Sequence, residues 1–296
     1  MRLLASIALL LFSVVAFGQQ KSNDGVRSDM LVSTQWLSQH LKDPSIVILH
    51  LADNALDYKR GHIPGARYLP MKGITTDAGP INTELPSVEA LQKLFADLGV
   101  GDNTRVIIYA TNWFPNAARV WYTLDYLGHG DKAALLDGSI EQWLVENRPV
   151  SGETPKHTAA TFTPHVNEKV RALIDEAKAN TEADPATATE QIIDARPDRR
   201  YKAGHLAGAS NVYWQDTLVN ADDNPVLKSP EQLRAIYAAK GVVPGKKIMT
   251  YCEVGMQASH GYFLAKYLGY DAAMYDGSFQ EWSSKNMPVV KGDAKR

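Results

Sequence analysis

Cysteine is almost absent from this chain, since Cys252 is the single cysteine among 296 residues. One cysteine cannot form an internal disulfide, so the fold does not depend on disulfide bonds within the chain. The residue is therefore either a small buried apolar side chain or a reactive thiol. The eight histidines show no metal-binding spacing such as His-Glu-x-x-His, and no second thiol is present to join a metal site. We expect neither a metal nor a cofactor.

An excess of charge of either sign is also absent, because the formal net charge is −2. The sequence has no basic stripe of the kind that binds nucleic acid and no polybasic segment that would bind a membrane surface. We therefore expect no nucleic-acid partner. The remaining composition, 45% hydrophobic and 22% charged, is typical of a globular protein, and the length suits two domains.

Long hydrophobic runs are absent except at the N-terminus. Arg2 precedes an apolar run over residues 3–16, which ends in the small-x-small sequence Ala16-Phe17-Gly18. This order predicts a secretory signal peptide over residues 1–18. The run is shorter than the roughly 18 residues that cross a bilayer, so we expect no membrane contact after cleavage. The expected location is outside the cytoplasm, in the periplasm.

A lone thiol in an exported protein needs a function, since structural cysteines in an oxidising compartment usually occur in pairs. Cys252 directly follows a strand predicted at 247–251 and precedes a helical pattern that begins at Ala258. At a helix N-terminus, the unpaired backbone N–H groups and the positive end of the dipole favour the nucleophilic thiolate. Something must keep this thiol reduced, so a reducing thiol protein is a candidate partner.

The sequence after the N-terminal run consists of two related halves. The sequence Gly61-His62-Ile63-Pro64-Gly65-Ala66 recurs as Gly204-His205-Leu206-Ala207-Gly208-Ala209. Further pairs follow in the same order: Tyr126-Leu127-Gly128 with Tyr267-Leu268-Gly269, Asp137-Gly138-Ser139 with Asp276-Gly277-Ser278, and Trp143 with Trp282. Two copies predict a duplicated domain rather than a solenoid, which needs three or more repeats. We place the domains at 30–150 and 162–292, with a linker at 151–161.

Within each half, short apolar strands alternate with helical patterns. The second half, for example, has strands predicted at 191–193 and 247–251 and helices at 230–239 and 258–268. Continuous apolar strands joined by helices predict an α/β fold with a mostly parallel sheet and helices on both faces. Ligands bind beyond the C-terminal ends of the strands in such sheets, which is where Cys252 lies.

These motifs resemble those of the tandem-domain rhodanese family, which contains thiosulfate and 3-mercaptopyruvate sulfurtransferases. The family's first signature is matched by Tyr58, His62-Ile63-Pro64-Gly65-Ala66 and Leu69, and its C-terminal signature by residues 272–282. The resemblance implies two tandem rhodanese-like domains, of which the N-terminal one is catalytically silent. In agreement, the first half has Ala110-Thr111-Asn112 after its strand and no thiol.

The resemblance also implies a two-step reaction at Cys252. The thiolate takes the outer sulfur of a small-molecule donor as a persulfide and passes it to cyanide or a thiol acceptor. Successive N–H groups of the loop would stabilise the anionic sulfur. The residues implied to contact the substrate are Arg196, Glu253, Val254, Gly255, Met256 and Gln257. Arg196 has an alternative role as a structural brace bound to Asp194 or Glu281.

Two loop positions depart from the family pattern. Thiosulfate-preferring members often carry cationic residues at the second and third positions, and mercaptopyruvate-preferring members carry Gly and Ser or Thr, whereas this chain has Glu253 and Val254. An inward-pointing acidic side chain would raise the thiol pKa and repel a dianion. Either Glu253 points to solvent or the donor is not thiosulfate. Gln257 either donates a hydrogen bond to the donor or caps the helix.

The same sequence features are compatible with two other function classes besides a sulfurtransferase. The first is an exported persulfide carrier that uses Cys252 to relay sulfur to a dedicated protein partner. The second is a phosphatase, because a related fold supports Cys-x5-Arg phosphate chemistry. The required Arg is absent here, since Ala258 stands at that position, which argues against phosphatase activity.

Overall fold

The computed structural model of the chain describes residues 25–295 with the exception of 53, 112, 113 and 185. The predicted signal peptide at 1–18 lies outside the described residues. No helix in the described part combines the length and the apolar composition that a membrane crossing requires.

The first half of the chain forms one α/β domain. Its elements, in chain order, are β1 (Leu31–Val32), α1 (Thr34–His40), β2 (Ile46–Ala52), α2 (Ala55–Arg60), β3 (Arg67–Pro70), β4 (Thr76–Ala78), β5 (Ile81–Glu84), α3 (Val88–Asp97), β6 (Arg105–Ala110), α4 (Phe114–Tyr126), β7 (Ala133–Leu136) and α5 (Ser139–Val145). Five strands form a parallel sheet in the order β1-β7-β6-β2-β3, and β4 pairs with β5 in an antiparallel hairpin.

The second half repeats this path. Its elements are β8 (Arg171–Ala172), α6 (Ile174–Glu182), β9 (Glu190–Asp194), α7 (Asp198–Ala203), β10 (Ala209–Asn211), β11 (Leu218–Asn220), β12 (Asn224–Leu227), α8 (Pro230–Ala239), β13 (Lys247–Tyr251), α9 (Met256–Tyr267), β14 (Ala272–Tyr275) and α10 (Ser278–Ser284). The parallel sheet has the order β8-β14-β13-β9-β10, and β11 and β12 form a hairpin. The predicted architecture of two tandem α/β domains with parallel sheets is confirmed.

Both faces of each sheet are buried. Successive side chains of a strand point to opposite faces, so neighbouring residues of one strand show what each face packs against. In β2, Val47 and Leu49 belong to a core that includes residues of both domains, whereas Ile48 belongs to a separate core of the first domain. In β13, Ile248 belongs to the shared core and Met249 to a separate core of the second domain. One apolar core therefore joins the two domains.

Helices α4 and α9, which occupy equivalent places in the two domains, pack against each other. The Trp121 ring of α4 lies 5.3 Å from the Phe263 ring and 6.0 Å from the Tyr262 ring of α9. The Tyr262 hydroxyl donates a hydrogen bond of 2.5 Å to Asp125 of α4. Aromatic packing combined with a partly buried polar contact fixes the position of one helix against the other.

Each domain extends its hairpin to the other domain. The Asn82 N–H of hairpin β4–β5 donates to the Gln280 side chain at 2.8 Å. In the opposite direction, the Leu227 N–H of β12 donates to Asp137 at 2.9 Å. The first hairpin therefore lies beside α10, close to the C-terminal end of β14, where parallel sheets place their ligands.

The segment between the two sheets stays attached to the first domain. Phe162 packs against Phe95 with ring centroids 5.5 Å apart, and the Gln92 side chain donates to the Phe162 carbonyl at 3.0 Å. Further along, the His165 N–H donates to the Leu127 carbonyl at 2.9 Å. The domain boundary predicted at residue 162 lies inside this attached segment.

The repeated Gly-His sequence has the same geometry in both domains. Nδ1 of His62 lies 2.8 Å from the Tyr58 carbonyl, and Nδ1 of His205 lies 3.0 Å from the Tyr201 carbonyl. Each imidazole stacks on that same tyrosine ring, at 3.8 and 3.7 Å respectively. Because the arrangement also occurs in the domain without a thiol, these histidines stabilise a turn of the fold.

Replacement of Trp121 by Ala tests whether the shared core couples the two domains. Trp121 and Trp143 are both fully buried in the first domain, but Trp121 lies in the shared core and Trp143 in the separate one. Each substitution should lower the free energy of unfolding by about 3–5 kcal/mol, the usual cost of truncating a buried Trp. Only Trp121→Ala should accelerate amide hydrogen exchange in α9. Equal protection of α9 in both variants would contradict the coupling.

Candidate active site

Cys252 lies in the loop between β13 and α9, at the C-terminal end of the central strand of the second sheet. Its N–H donates to the Ser278 hydroxyl at 3.2 Å, and its carbonyl accepts the Phe279 N–H at 3.0 Å. The backbone of the cysteine is thus anchored to the start of α10. This is the edge of a parallel sheet at which ligands bind.

The Cys252 sulfur is buried, with the residue only 1% exposed. Backbone N–H groups of Ala258, Val254 and Gln257 face the sulfur. Burial raises the pKa of the thiol, the three N–H groups lower it, and the charge of Asp194 raises it, so that the pKa lies above its ordinary value. The helix start favours the thiolate as expected from the sequence, but burial outweighs it.

Gly255 makes the turn from the loop into α9 with φ of +85°. This left-handed conformation carries little steric cost for glycine. A Cβ at this position would lie 2.5 Å from Asp276 Oδ1 and 3.3 Å from Arg119 Nη1. Both the backbone conformation and the close neighbours therefore require glycine here.

The side chains beside Gly255 form a buried ion pair across the domain interface. Arg119 of α4 donates from Nη1 to Asp276 Oδ1 at 2.5 Å and from Nη2 to Oδ2 at 3.1 Å. Nη2 also donates to the Thr83 carbonyl at 2.6 Å, and the Thr83 hydroxyl donates to the Val254 carbonyl. The first domain therefore holds the cysteine loop directly through Thr83 and indirectly through Asp276.

A second ion pair crosses the interface next to the first, with Arg171 of β8 donating to Glu84 of β5 at 2.6 Å. Burial and the charge of Asp276 raise the pKa of Glu84, while Arg171 and Arg119 lower it. The two arginines balance the two carboxylates in formal charge. Ionised groups are buried at acceptable cost only when they are paired in this way.

Sequence reasoning assigned no role to Arg119, Thr83 or Asp276. The repeated Asp-Gly-Ser sequence marks Asp276 as part of the duplicated framework, but it does not identify a partner. Arg119 and Thr83 belong to the other half of the chain, so no local motif connects them with Cys252.

Arg196 follows β9 and lies beside the cysteine loop. Its Nε donates to both carboxylate oxygens of Asp194 at 3.0 and 3.1 Å, and its Nη2 donates to the same side chain at 2.7 Å. Nη2 also donates to the Gly204 carbonyl at 2.7 Å, and the guanidinium lies over the Phe279 ring at 4.0 Å. Arg196 lies at the predicted site, and most of the N–H groups of its guanidinium donate hydrogen bonds to the protein itself.

The polar loop residues Glu253 and Gln257 lie on either side of Gly255. The Glu253 side chain is 44% exposed, and its Oε2 lies 3.4 Å from Nη1 of Arg196. The N–H of Gln257 faces the sulfur, and Gly255 occupies the residue before α9. The remaining loop residues are partly exposed Val254 and buried Met256.

The first domain has the same loop anchor without a nucleophile. The Ala110 N–H donates to the Ser139 hydroxyl at 3.0 Å, as the Cys252 N–H donates to Ser278. Ala110 therefore occupies the position of the cysteine. A methyl group cannot attack a sulfur donor, so this equivalent position cannot act as the nucleophile.

Comparison with known protein families shows what this duplicated fold is. The family described as the rhodanese-like domain matches residues 33–146 and 173–285. The chain belongs to the rhodanese family. The two matched segments coincide with the two α/β domains, and the second contains Cys252.

Curated relatives align with most of this rhodanese. The protein named "Sulfur carrier protein TtuD" of Thermus thermophilus is 32% identical over 287 residues, which cover 90% of this chain and 98% of the relative. A protein of Mycolicibacterium smegmatis named "Putative thiosulfate sulfurtransferase" is 33% identical over 279 residues, which cover 87% of this chain and 96% of the relative. The chain is a rhodanese-family sulfurtransferase or sulfur carrier.

Solved structures share the fold of this rhodanese at lower identity. The wild-type structure of EanB has a TM-score of 0.77 and 20% identity, and the match covers 89% of this chain and 69% of EanB. The structure of YnjE has a TM-score of 0.78 and 24% identity, with 90% and 69% covered. These likenesses establish the tandem fold alone.

Replacement of Gly255 by Ala should disturb the cysteine loop beyond the cost of its backbone conformation. Gly65 provides the matched control, because its φ is also +85° but a Cβ there would meet nothing within 4 Å. Gly65→Ala should cost about 1–2 kcal/mol of unfolding free energy. Gly255→Ala should cost more and should slow the persulfide formation that the family resemblance implies at Cys252 at least about tenfold, since the loop must move away from Asp276. Equal effects of the two substitutions would contradict the close packing.

The alkylation rate of Cys252 should keep rising with pH until the pH exceeds the pKa of an ordinary thiol. Because burial keeps the sulfur protonated at neutral pH, the thiolate fraction grows about tenfold per pH unit below the pKa. The measurement is the iodoacetamide rate as a function of pH, with a short unstructured cysteine peptide as control. A midpoint at or below that of the peptide would show that the N–H groups outweigh burial.

Proposed function

We propose that this rhodanese transfers sulfur from thiosulfate or 3-mercaptopyruvate to cyanide or a thiol through a persulfide on Cys252. The observation that carries the proposal is the buried sulfur faced by the N–H groups of Val254, Gln257 and Ala258. Such an arrangement stabilises an anionic sulfur both as the attacking thiolate and as the persulfide. Membership of the rhodanese family supports the same reaction class.

The proposed reaction has two displacement steps. The Cys252 thiolate attacks the outer sulfur of the donor, the donor bond to that sulfur breaks, and its electron pair leaves with the remainder, which is sulfite when the donor is thiosulfate. The acceptor then attacks the outer sulfur of the persulfide and regenerates the thiolate. Splitting one transfer into two such steps is the function of a covalent nucleophile.

Substrate contact by Arg196 and by loop residues 253–257 belongs to this proposal. The position of the Arg196 guanidinium beside the loop supports it, because the contact with Glu253 shows that Nη1 reaches the loop. An arginine can bind a sulfonate-like or carboxylate group through charged hydrogen bonds.

A second candidate function is that of a persulfide carrier with a dedicated protein partner. The 32% identity with "Sulfur carrier protein TtuD" favours it. The same Cys252 persulfide would serve both functions, so the acceptor distinguishes them. Turnover with cyanide does not separate them, because cyanide can attack the same persulfide in either case, whereas a transfer rate that depends on a partner protein would indicate the carrier.

We also propose that the protein acts outside the cytoplasm, in the periplasm. Support comes from the N-terminal order of Arg2, an apolar run over 3–16 and Ala16-Phe17-Gly18. Mass spectrometry of the protein from a cell-envelope extract tests this, because export predicts a mature chain without residues 1–18.

Replacement of Cys252 by Ser tests the central proposal. Serine keeps the size of the side chain but is not activated as a nucleophile here, so turnover of both donors with cyanide should fall at least about 10³-fold. Thermal unfolding of the two proteins controls for folding. Retained activity in Cys252→Ser would rule out the persulfide. Absence of turnover in wild type with an intact thiol would instead direct the search to a protein partner.

A further inference from the structure

One nitrogen of the buried Arg196 guanidinium has a different partner from the other two. Nε and Nη2 bind Asp194 at 2.7–3.1 Å, and Nη2 also binds the Gly204 carbonyl at 2.7 Å. Nη1 contacts Glu253 at 3.4 Å. Because Glu253 directly follows Cys252, Nη1 is the part of the guanidinium that faces the cysteine loop.

The Glu253 carboxylate is placed to compete with an anionic ligand for Nη1. Its side chain is 44% exposed, and its distance of 3.4 Å is at the long end for a charged hydrogen bond. Its backbone is held independently, because the Glu253 carbonyl accepts the Gln280 N–H at 3.0 Å. The carboxylate can therefore move or be replaced while this backbone hydrogen bond stays in place.

The charges in contact with the loop leave no surplus cation for a dianion. Asp194 is fully buried against Arg196, and Glu253 adds a second negative charge to the same guanidinium. The other arginine beside the loop, Arg119, is bound to Asp276. In these described contacts, two arginines face three carboxylates.

We propose that Glu253 is a specificity-determining residue that selects thiol persulfides, R–S–S⁻, over thiosulfate as sulfur donors. The inference rests on the proposed transfer through Cys252 and names the donor class of that site. Thiosulfate brings two negative charges and releases sulfite, which carries two, whereas a thiol persulfide brings one and releases a thiolate with one. A dianion must compete with a carboxylate already in contact with Nη1 of Arg196, and this competition acts against that donor.

The transfer from a thiol persulfide balances without another reactant. The Cys252 thiolate attacks the outer sulfur of R–S–S⁻ and forms the new S–S bond. The donor S–S bond breaks, and its electron pair leaves on R–S⁻. The products are Cys252–S–S⁻ and a thiolate, so the total charge is unchanged and no proton or external oxidant is needed.

The test compares thiosulfate and cysteine persulfide as donors to cyanide for wild type and Glu253→Gln. Wild type should have kcat/KM at least about tenfold higher with cysteine persulfide. Glu253→Gln should raise kcat/KM for thiosulfate about tenfold, mainly through a lower KM, because the neutral amide no longer repels the dianion. Higher ionic strength should weaken the discrimination of wild type, since Glu253 is partly exposed and its charge is screened.

Asp198→Asn is the matched control, because Asp198 follows Arg196 closely in sequence but pairs with Lys202 at 3.1 Å. This substitution removes the same unit of charge but leaves the contact between Glu253 and Nη1 of Arg196 in place. The ratio of kcat/KM for cysteine persulfide to kcat/KM for thiosulfate should therefore stay within about twofold of wild type. A wild type that prefers thiosulfate, or an unchanged ratio in Glu253→Gln, overturns the inference while leaving sulfur transfer intact. Failure of the proposed function is separate, since wild type would then transfer sulfur from neither donor.

Discussion

The buried ion pair between Arg119 and Asp276 is the contact on which the cysteine loop depends. Asp276 lies where a side chain on Gly255 would be, so its position determines how closely the loop can turn. That position is set by an arginine from the other domain. Loss of one partner of such a pair leaves a buried charge and costs about 3–5 kcal/mol. The domain without a thiol is therefore a structural part of the candidate active site.

Burial of the sulfur has two opposite consequences for the chemistry of Cys252. It raises the pKa of the thiol and so lowers the thiolate fraction at neutral pH, although three N–H groups oppose this. The same burial and protonation slow reaction with oxidants, because oxidation requires thiolate character and access. If the protein acts in the proposed periplasmic location, slower oxidation of the Cys252 thiol offsets its slower attack on a sulfur donor. In the proposed reaction, the outer sulfur of the persulfide would lie one bond further out than the cysteine sulfur that the N–H groups face.

Much of the fold could be predicted from the sequence because its determinants are local or repeated. The apolar strand 247–251 and the duplicated motifs specify a parallel sheet in each half, and the strand end specifies the place of Cys252. The partners of the site could not be predicted in the same way. Arg119 and Thr83 reach Asp276 and Val254 only after the domains pack, and neither pair is close in sequence.

The distribution of donors on Arg196 shows a different limit of sequence reasoning. The family resemblance implies substrate contact by Arg196, with a structural brace to Asp194 as the alternative, and Arg196 lies beside both Asp194 and the loop residue Glu253. Whether the guanidinium serves the substrate or the protein depends on how its individual nitrogens are used. Nε and Nη2 bind protein groups, whereas Nη1 faces Glu253 in the cysteine loop. One guanidinium could therefore both brace the structure and contact a substrate.

The interface also explains why the two copies are not interchangeable. Counted back from the repeated Tyr-Leu-Gly sequence, Arg119 of α4 corresponds to His260 of α9. Burial lowers the pKa of His260 to about 3, so it is neutral, and its Nε2 lies 2.8 Å from the Thr217 hydroxyl. Asp137, the counterpart of Asp276, accepts a backbone N–H from Leu227, and burial raises its pKa to about 6.

The difference between Arg119 on α4 and His260 on α9 favours the loop of the second domain as the site of the thiol. An arginine on α4 acts on the loop of the other domain, so the domain that supplies the cation cannot be the one that benefits from it. The loop beside Ala110 would need a charged residue at the position of His260 to be held in the same manner. The two copies therefore share a framework but differ at their interface, where Arg119 on α4 holds the Cys252 loop through Asp276 and α9 carries the neutral His260 instead.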